Sequence, residues 1–270
     1  MPTVRDIAMK AGEEPITMLT AYDAPTAAII DDVGVDIVLV GDSLGNTNLG
    51  YETTLPVTVD DMARHTGAVA RATDDALVVA DMPFLSIGVD EQASLENAGR
   101  MLQEEDAHAV KLECGPHTVD LTEKMSQIGI PVMAHLGLTP QHVNKYGGYP
   151  RQGTDRDTAK RIFELAKAHE DAGAFSLVLE HVPSNLAAEV TAALDIPTIG
   201  IGAGPDCNGQ VLVVDDAVGL SDWSPSFSKQ FGNVREEMES AVDAYVTAVE
   251  SGEFPAKEHS HEESDLEDIY

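Results

Sequence analysis

Carboxylate side chains stand at the ends of four short apolar runs in this sequence. Asp42 follows one run closely, and Asp81, Glu113 and Glu180 are the last residues of three others. They are separated by one or two strand-and-helix lengths of chain, so parallel strands would bring them to one edge. Crowded carboxylates repel each other unless a cation bridges them, and oxygen ligands favour Mg²⁺ or Mn²⁺ over Zn²⁺. The pattern predicts a divalent metal site, with helix capping as the alternative for Asp42 or Asp81.

Three further polar residues lie close to these acids in the sequence. Lys111 is two residues from Glu113 on a predicted strand, so the two side chains share a face. The ammonium could hold a substrate carboxylate, or it could form a buried ion pair inside the protein. Ser43 could donate a hydrogen bond to the same carboxylate or cap a helix. His135, at another strand end, is either structural or catalytic.

The sequence assigns no catalytic role to the glycine-rich segment or to the cysteines. Gly200 to Gly204 resembles a phosphate-binding loop, but the spacing of a dinucleotide-binding motif is not met, so tight turning is the preferred interpretation. Cys114 directly follows Glu113 and is predicted to face the opposite side of its strand, without a chemical role. With Cys207 as the only other cysteine, the chain has too few for a disulfide framework, which indicates a reducing compartment.

Runs rich in β-branched residues alternate with helix-like segments along the chain. Thr58 with Asp61 resembles a capping box, Pro116 suits a first helical position, and Thr154 or Asp155 can cap a later helix. A stripe from Val234 to Val249 predicts a final amphipathic helix. Eight strand-and-helix units in this length predict an α/β fold, a single (β/α)₈ TIM barrel, with an open doubly wound sheet as the alternative. The predicted strands are Ile16 to Tyr22, Asp36 to Gly41, Leu77 to Asp81, Ala109 to Glu113, Pro131 to His135, Phe175 to Glu180, Thr198 to Gly202 and Val211 to Val214.

No linker rich in Gly, Ser or Pro divides the sequence. We therefore predict one catalytic barrel domain over residues 1–252. Residues 253–270 contain seven acids and little apolar content, which predicts a mobile acidic tail.

The charge of the chain is unusual. There are 47 Asp and Glu residues against 16 Lys and Arg, a formal net charge of −31. Such a surface repels phosphate backbones and anionic lipids, which argues against nucleic acid or membrane partners. Dense carboxylates suit a protein of a halophile, because salt screens their repulsion. No signal peptide or membrane span is evident, so a cytoplasmic location is predicted.

Six segments together resemble the ketopantoate hydroxymethyltransferase family, in order, over about Thr17 to Phe254. They are Val40 to Gly45, Thr54 to Thr58, Ala80 to Phe84, Lys111 to Glu113, His135 to Gln141 and Gly200 to Gly204. The resemblance implies a TIM barrel assembled as a homodecamer. It also implies transfer of a one-carbon unit from 5,10-methylenetetrahydrofolate to the oxo acid 3-methyl-2-oxobutanoate, which gives 2-dehydropantoate for pantothenate and coenzyme A through a Mg²⁺-stabilised enolate.

The resemblance also implies roles for individual residues. Glu180 matches the catalytic base, and Asp42, Asp81 and Glu113 match the metal site. Asp42, Ser43, Asp81 and Lys111 make up the substrate-binding set, in which Ser43 and Lys111 hold the carboxylate of the oxo acid. The bound metal is expected to be Mg²⁺, although other divalent metals fit the same ligands.

Two other functions remain open from the sequence. One is a Mg²⁺-dependent carbon–carbon lyase similar to isocitrate lyase or phosphoenolpyruvate mutase, whose typical cysteine motif is absent around Cys114 and Gly115. The other is a catalytically silent barrel that serves as a metal-binding or assembly subunit. The complete set of acids argues against the silent barrel, and a turnover assay distinguishes all three.

Overall fold

Eight parallel strands close into a barrel in the computed structural model, which describes residues 3–263. Each strand pairs with its sequence neighbours, and β1 pairs with β8 to complete the cylinder. The (β/α)₈ fold and all eight predicted strands are confirmed, and the open doubly wound sheet is wrong. The strands are β1 Ile16–Thr20, β2 Ile37–Val40, β3 Leu77–Asp81, β4 Ala109–Glu113, β5 Val132–Gly137, β6 Ser176–Glu180, β7 Thr198–Ile201 and β8 Gly209–Leu212.

Alternate residues of these strands fill the barrel interior. Leu77 and Val79 of β3, Ala109 of β4, Met133 of β5 and Val178 of β6 belong to one buried apolar cluster. Because side chains alternate along a strand, the residues two positions further on point the same way. The interior therefore changes from apolar to charged at the carboxyl ends of the strands.

The helices lie between and after the strands. They are α1 Val4–Lys10, α2 Ala24–Asp32, α3 Leu44–Thr47, α4 Val59–Ala70, α5 Glu91–Gln103, α6 Val119–Gln127, α7 Val143–Tyr146, α8 Arg156–Asp171, α9 Ser184–Ala193, α10 Val214–Val218 and α11 Val234–Ser251. Thr58 and Asp61 form the predicted capping box at α4, and Asp155 caps α8. Pro116 opens a 3₁₀ turn ahead of α6 instead of the helix itself.

Helix α1 was not predicted from the sequence. It is only seven residues long, but a capping box between Thr3 and Asp6 holds its first turn. Its Ile7 is buried in the apolar cluster inside the barrel, with Val4 and Ala11 packed against the same cluster. The helix therefore contributes to the core.

The prediction that strand and helix alternate to the end is wrong between β7 and β8. Residues 202–208 join these strands directly, with no helix in this described segment. Gly202 and Gly204 adopt positive φ angles of 61° and 86°, a region that favours glycine. Tight turning is therefore the role of these two glycines, as expected.

The chain divides into two compact units. The first contains the barrel and comprises residues up to Val214 with 225–228; the second comprises residues 215–224 and those from 229 onward.

The predicted final helix is confirmed as α11. The single domain over 1–252 and the mobile tail over 253–270 stay predictions: residues 257–259 form a 3₁₀ turn, and 264–270 lie outside the described residues. Among the described helices, none is both long and apolar enough to cross a membrane.

Candidate active site

The carboxyl ends of the strands gather the charged residues predicted from the sequence. Asp81 lies two residues after Val79 on β3, so its side chain points into the barrel as that of Val79 does. On β4, Lys111 and Glu113 likewise follow Ala109 at intervals of two residues and point inward. Five of the predicted side chains are almost inaccessible, with exposed fractions of 2–7%. These five are Asp42, Asp81, Lys111, Glu113 and His135. The edge at which the sequence places these side chains is therefore buried.

Lys111 pairs with Asp81 and not with Glu113. The Lys111 Nζ to Asp81 Oδ2 distance is 2.9 Å, and the two residues are register partners on adjacent strands. The Asp42 backbone N–H also donates to Asp81 Oδ2, at 3.3 Å. Burial by itself lowers the pKa of Lys111, but the charges of Asp81 and Asp42 outweigh it and raise that pKa above its usual value. The site therefore contains a permanent ammonium.

Gln141 connects the acids on different strands, a role that sequence reasoning missed. Its side-chain Nε2 donates to Asp42 Oδ2 and to the Met82 carbonyl, both at 2.9 Å. Its backbone N–H donates to Glu113 Oε1 at 3.0 Å. The only sequence signal was its position in the segment His135 to Gln141.

Two buried carboxylate oxygens that accept no hydrogen bond are suited to binding a cation. Asp81 Oδ1 and Glu113 Oε2 accept no hydrogen bond, although an unpaired buried carboxylate oxygen is costly. Burial raises the pKa of Asp42 well above its usual range, and the charges of Asp81 and Glu113 raise it further. A divalent ion would relieve this repulsion. Within residues 3–263 no three His, Cys, Asp or Glu side chains form a ready metal cluster. Two carboxylates can suffice for Mg²⁺, which keeps waters and substrate oxygens as its other ligands.

His135 lies between the ammonium and the remaining carboxylate. Its Nδ1 is 3.3 Å from Lys111 Nζ, and its Nε2 is 3.1 Å from Glu180 Oε2, close but not aligned as a hydrogen bond. Burial and the Lys111 charge lower the pKa of His135 to about 4, so the ring is neutral. Since an ammonium can only donate, Nδ1 is the acceptor and Nε2 carries the proton that faces Glu180.

Glu180 is the carboxylate with the properties of a base. Burial raises its pKa to about 7, although Lys111 and His181 act in the opposite direction. A general base is most effective when its pKa lies near the working pH. Gly137 allows this geometry, because with φ at 100° a Cβ there would collide with the Glu180 carbonyl oxygen.

Capping does not explain the predicted polar residues. Asp42 and Asp81 bind Gln141 and Lys111 respectively, and the Ser43 side chain makes no capping hydrogen bond at α3. Ser43 Oγ instead lies 2.9 Å from the Tyr22 hydroxyl. Among the described residues, the Ser43 hydroxyl therefore pairs with Tyr22 and not with the other predicted site residues.

Cys114, to which the sequence assigns no chemical role, is hydrogen-bonded to the backbone of β4. Its thiol is buried and donates to the Leu112 carbonyl at 3.2 Å. Burial raises its pKa to about 12, so the reactive thiolate is not formed near neutral pH.

Known proteins resemble the chain over nearly its whole length. The family model described as ketopantoate hydroxymethyltransferase matches residues 2–257. The 3-methyl-2-oxobutanoate hydroxymethyltransferase of Natronomonas pharaonis is 70% identical over 98% of this chain and 99% of its own. That of Halobacterium salinarum is 67% identical over the full length of both. In fold, 2,3-dimethylmalate lyase, a PEP mutase/isocitrate lyase superfamily member, is similar with a TM-score of 0.58 at 13% identity, covering 97% of this chain and 93% of that one.

Proposed function

Because the chain belongs to the ketopantoate hydroxymethyltransferase family, we propose that it transfers a hydroxymethyl unit from 5,10-methylenetetrahydrofolate to 3-methyl-2-oxobutanoate. The product would be 2-dehydropantoate, for pantothenate and coenzyme A. The observation that carries this proposal is a partly buried carboxylate with a pKa near 7, Glu180, beside an ammonium and a set of metal-compatible acids. A similar fold in a lyase favours no lyase reaction here, since identity of 13% supports the fold alone.

The oxo acid binds through Lys111, Ser43 and the acids. The Lys111 ammonium attracts the substrate carboxylate, and the Ser43 hydroxyl donates to it. Asp42 and Asp81 would hold a divalent cation, Mg²⁺ in the first instance, with Glu113 beside them. When bound, this ion supplies positive charge that stabilises negative charge on the ketone oxygen.

Glu180 removes the C3 proton of the oxo acid. Burial keeps this carboxylate basic enough to accept a proton near neutral pH. The neutral His135 directs its Nε2–H at Glu180 Oε2, 3.1 Å away but not aligned as a hydrogen bond, so it can orient the base without competing for the proton. The C3 carbon of the enolate then forms a bond to the one-carbon unit of the folate, and water supplies the hydroxyl oxygen of the product. Both carbon–nitrogen bonds of that unit are broken, and the folate nitrogens take up the proton from C3 and one from water, so tetrahydrofolate leaves.

A turnover assay tests the whole proposal. The protein is incubated with 3-methyl-2-oxobutanoate, Mg²⁺ and 5,10-methylenetetrahydrofolate, and 2-dehydropantoate is measured by mass spectrometry. Omission of each component in turn identifies what the reaction needs. Formation of product excludes both the silent barrel and an exclusive lyase; no product under any metal would overturn the proposal.

Two variants of His135 separate its two contacts. His135→Gln places an amide near the Nε2 position and can still donate to Glu180, whereas His135→Asn keeps only a group near Nδ1, on the Lys111 side. We expect His135→Asn to lower kcat by about 10-fold or more, since loss of orientation at a base is costly, and His135→Gln to recover part of it. Steady-state kinetics measures both, and equal kcat losses in the two variants would contradict the assignment.

We also propose a cytoplasmic homodecamer that works in high salt. Met238, Val242 and Tyr245 on α11 are 53–59% exposed, and an apolar stripe of this kind requires a cover. The net charge of −31 opposes assembly unless salt screens it.

Salt should control this assembly. At about 3 M KCl, where the screening length is below about 3 Å, we expect about ten times the 28.7 kDa chain mass. At about 0.1 M, where it is near 10 Å, smaller species and a lower melting temperature are expected. Light scattering after size exclusion measures the mass and calorimetry the melting; a decamer equally stable in both salts would contradict the dependence.

A further inference from the structure

Gln141 has no assigned part in the reaction, yet it donates hydrogen bonds to two of the acids, to Asp42 from its side chain and to Glu113 from its backbone. It lies on the 3₁₀ turn Pro140–His142, which follows β5. From there its side chain reaches Asp42, 99 positions earlier in the chain, after β2. Its backbone reaches Glu113 at the end of β4. One residue thus joins the ends of three strand units.

Some carboxylate oxygens of the acid cluster accept a hydrogen bond from the protein, and others accept none. Asp42 Oδ2 and Glu113 Oε1 each accept a hydrogen bond from Gln141. The second oxygen of Glu113, Oε2, accepts none, and Asp81 has the same pattern: Oδ2 is bound by Lys111, and Oδ1 has no partner. Glu113 Oε2 has only a longer contact, 3.6 Å from His142 Nδ1. In Glu113 and Asp81, therefore, one oxygen is held at hydrogen-bond distance by the protein and the other accepts no hydrogen bond.

The Gln141 amide is itself fixed. Its two N–H groups are used by Asp42 Oδ2 and by the Met82 carbonyl, each at 2.9 Å. Since the Met82 carbonyl cannot donate, it requires the NH₂ end of the amide to face this side. The amide therefore offers Asp42 a donor in one orientation only.

We propose that Gln141 is a positioning residue for the divalent cation: its side chain fixes Asp42 Oδ2, and its backbone N–H fixes Glu113 Oε1, so that these two acids are held in place to receive the ion. The inference rests on the proposed metal site. Partners that orient ligating carboxylates typically change metal affinity by about 10- to 100-fold when they are removed. Among the described residues, the hydrogen bonds of Gln141 go to Asp42, Met82 and Glu113 and not to Glu180 or Lys111, so proton abstraction should survive its loss.

The test compares Gln141→Leu with Gln152→Leu. Gln152 is a matched control, because its side-chain amide donates only to the nearby Pro150 carbonyl, in the same connection after β5. Binding of Mn²⁺ alone is measured by calorimetry without oxo acid. We expect Gln141→Leu to weaken Mn²⁺ binding by about 10- to 100-fold, while Gln152→Leu binds as the wild type does. In turnover, the metal concentration for half-maximal rate should rise equally, with kcat at saturating metal within a few-fold of wild type.

Each outcome decides the inference. Wild-type Mn²⁺ affinity in a folded Gln141→Leu protein overturns the role of Gln141 and leaves the proposed function intact. Absence of Mn²⁺ binding in the wild type overturns the metal site itself. If Gln141→Leu does not fold, Gln141→Asn replaces it; this variant keeps the amide one methylene too short, and it must show weaker Mn²⁺ binding for the inference to stand.

Discussion

Glu180→Gln is expected to lower turnover by about 10²- to 10⁴-fold, the usual contribution of a general base. The substitution keeps the volume and an acceptor for the His135 Nε2–H, and removes only the ability to take a proton. Binding of 3-methyl-2-oxobutanoate should change far less, because Lys111 and Ser43 are unaltered. Proton NMR in D₂O measures the decisive step: with Mg²⁺ and oxo acid, and tetrahydrofolate if required, the wild type exchanges the C3 proton and the variant does not.

The control for this prediction is Glu164→Gln, the same change at an exposed position of α8. It should exchange at the wild-type rate. His135 is not a substitute base, because its Nδ1 faces the Lys111 ammonium and its pKa lies near 4. Exchange at the wild-type rate in Glu180→Gln would refute the assignment of the base.

The pH dependence follows from the same carboxyl group. Its pKa rises from 4.5 to about 7 on folding, so kcat/KM of the wild type should fall on the acid side with a midpoint near pH 7. Between these two values the folded state binds more protons than the unfolded state. The stabilisation from protonated Glu180 is therefore present below the unfolded pKa and is lost as pH rises through 7. Glu180→Gln should accordingly lose less stability than the wild type between pH 5 and pH 8.

Asp81→Asn and Asp42→Asn are expected to abolish metal-dependent turnover but to differ in stability. Asp81→Asn leaves the Lys111 ammonium buried without its 2.9 Å partner. Removing one partner of a buried pair costs about 3–5 kcal/mol, which at about 2–4 °C per kcal/mol lowers the melting temperature by about 6–20 °C. Asp42→Asn instead removes one of three mutually repelling carboxylates, so the metal-free protein should be as stable as the wild type or more so.

Differential scanning calorimetry with a chelator separates the two variants, and calorimetric Mn²⁺ titration reports the loss of metal binding in both. The sequence alone predicts only that both acids lie at one edge of the parallel strands. Both residues are in fact at most 5% exposed. Equal melting temperatures for the two variants would show that the Lys111 and Asp81 pair contributes nothing.

The sequence by itself determines the strands and the chemical types at their ends. Strand period and β-branched composition predict eight strands, with boundaries that differ from the structure by a few residues. Parallel strands in one barrel must end on one side, so the sequence alone predicts that Asp81, Glu113 and Glu180 lie at the same end of the barrel. These inferences succeed because they depend on local periodicity and on chain connectivity.

Only the tertiary structure decides which atoms meet. Lys111 takes Asp81 across β3 and β4 rather than Glu113 on its own strand, because barrel register, which no local pattern encodes, makes Asp81 its lateral neighbour. The tautomer of His135 depends on that ammonium, and the pKa of Glu180 depends on burial. Gln141 reaches Asp42 through the closure of the barrel, a contact between residues 99 positions apart that requires every intervening strand to be in place.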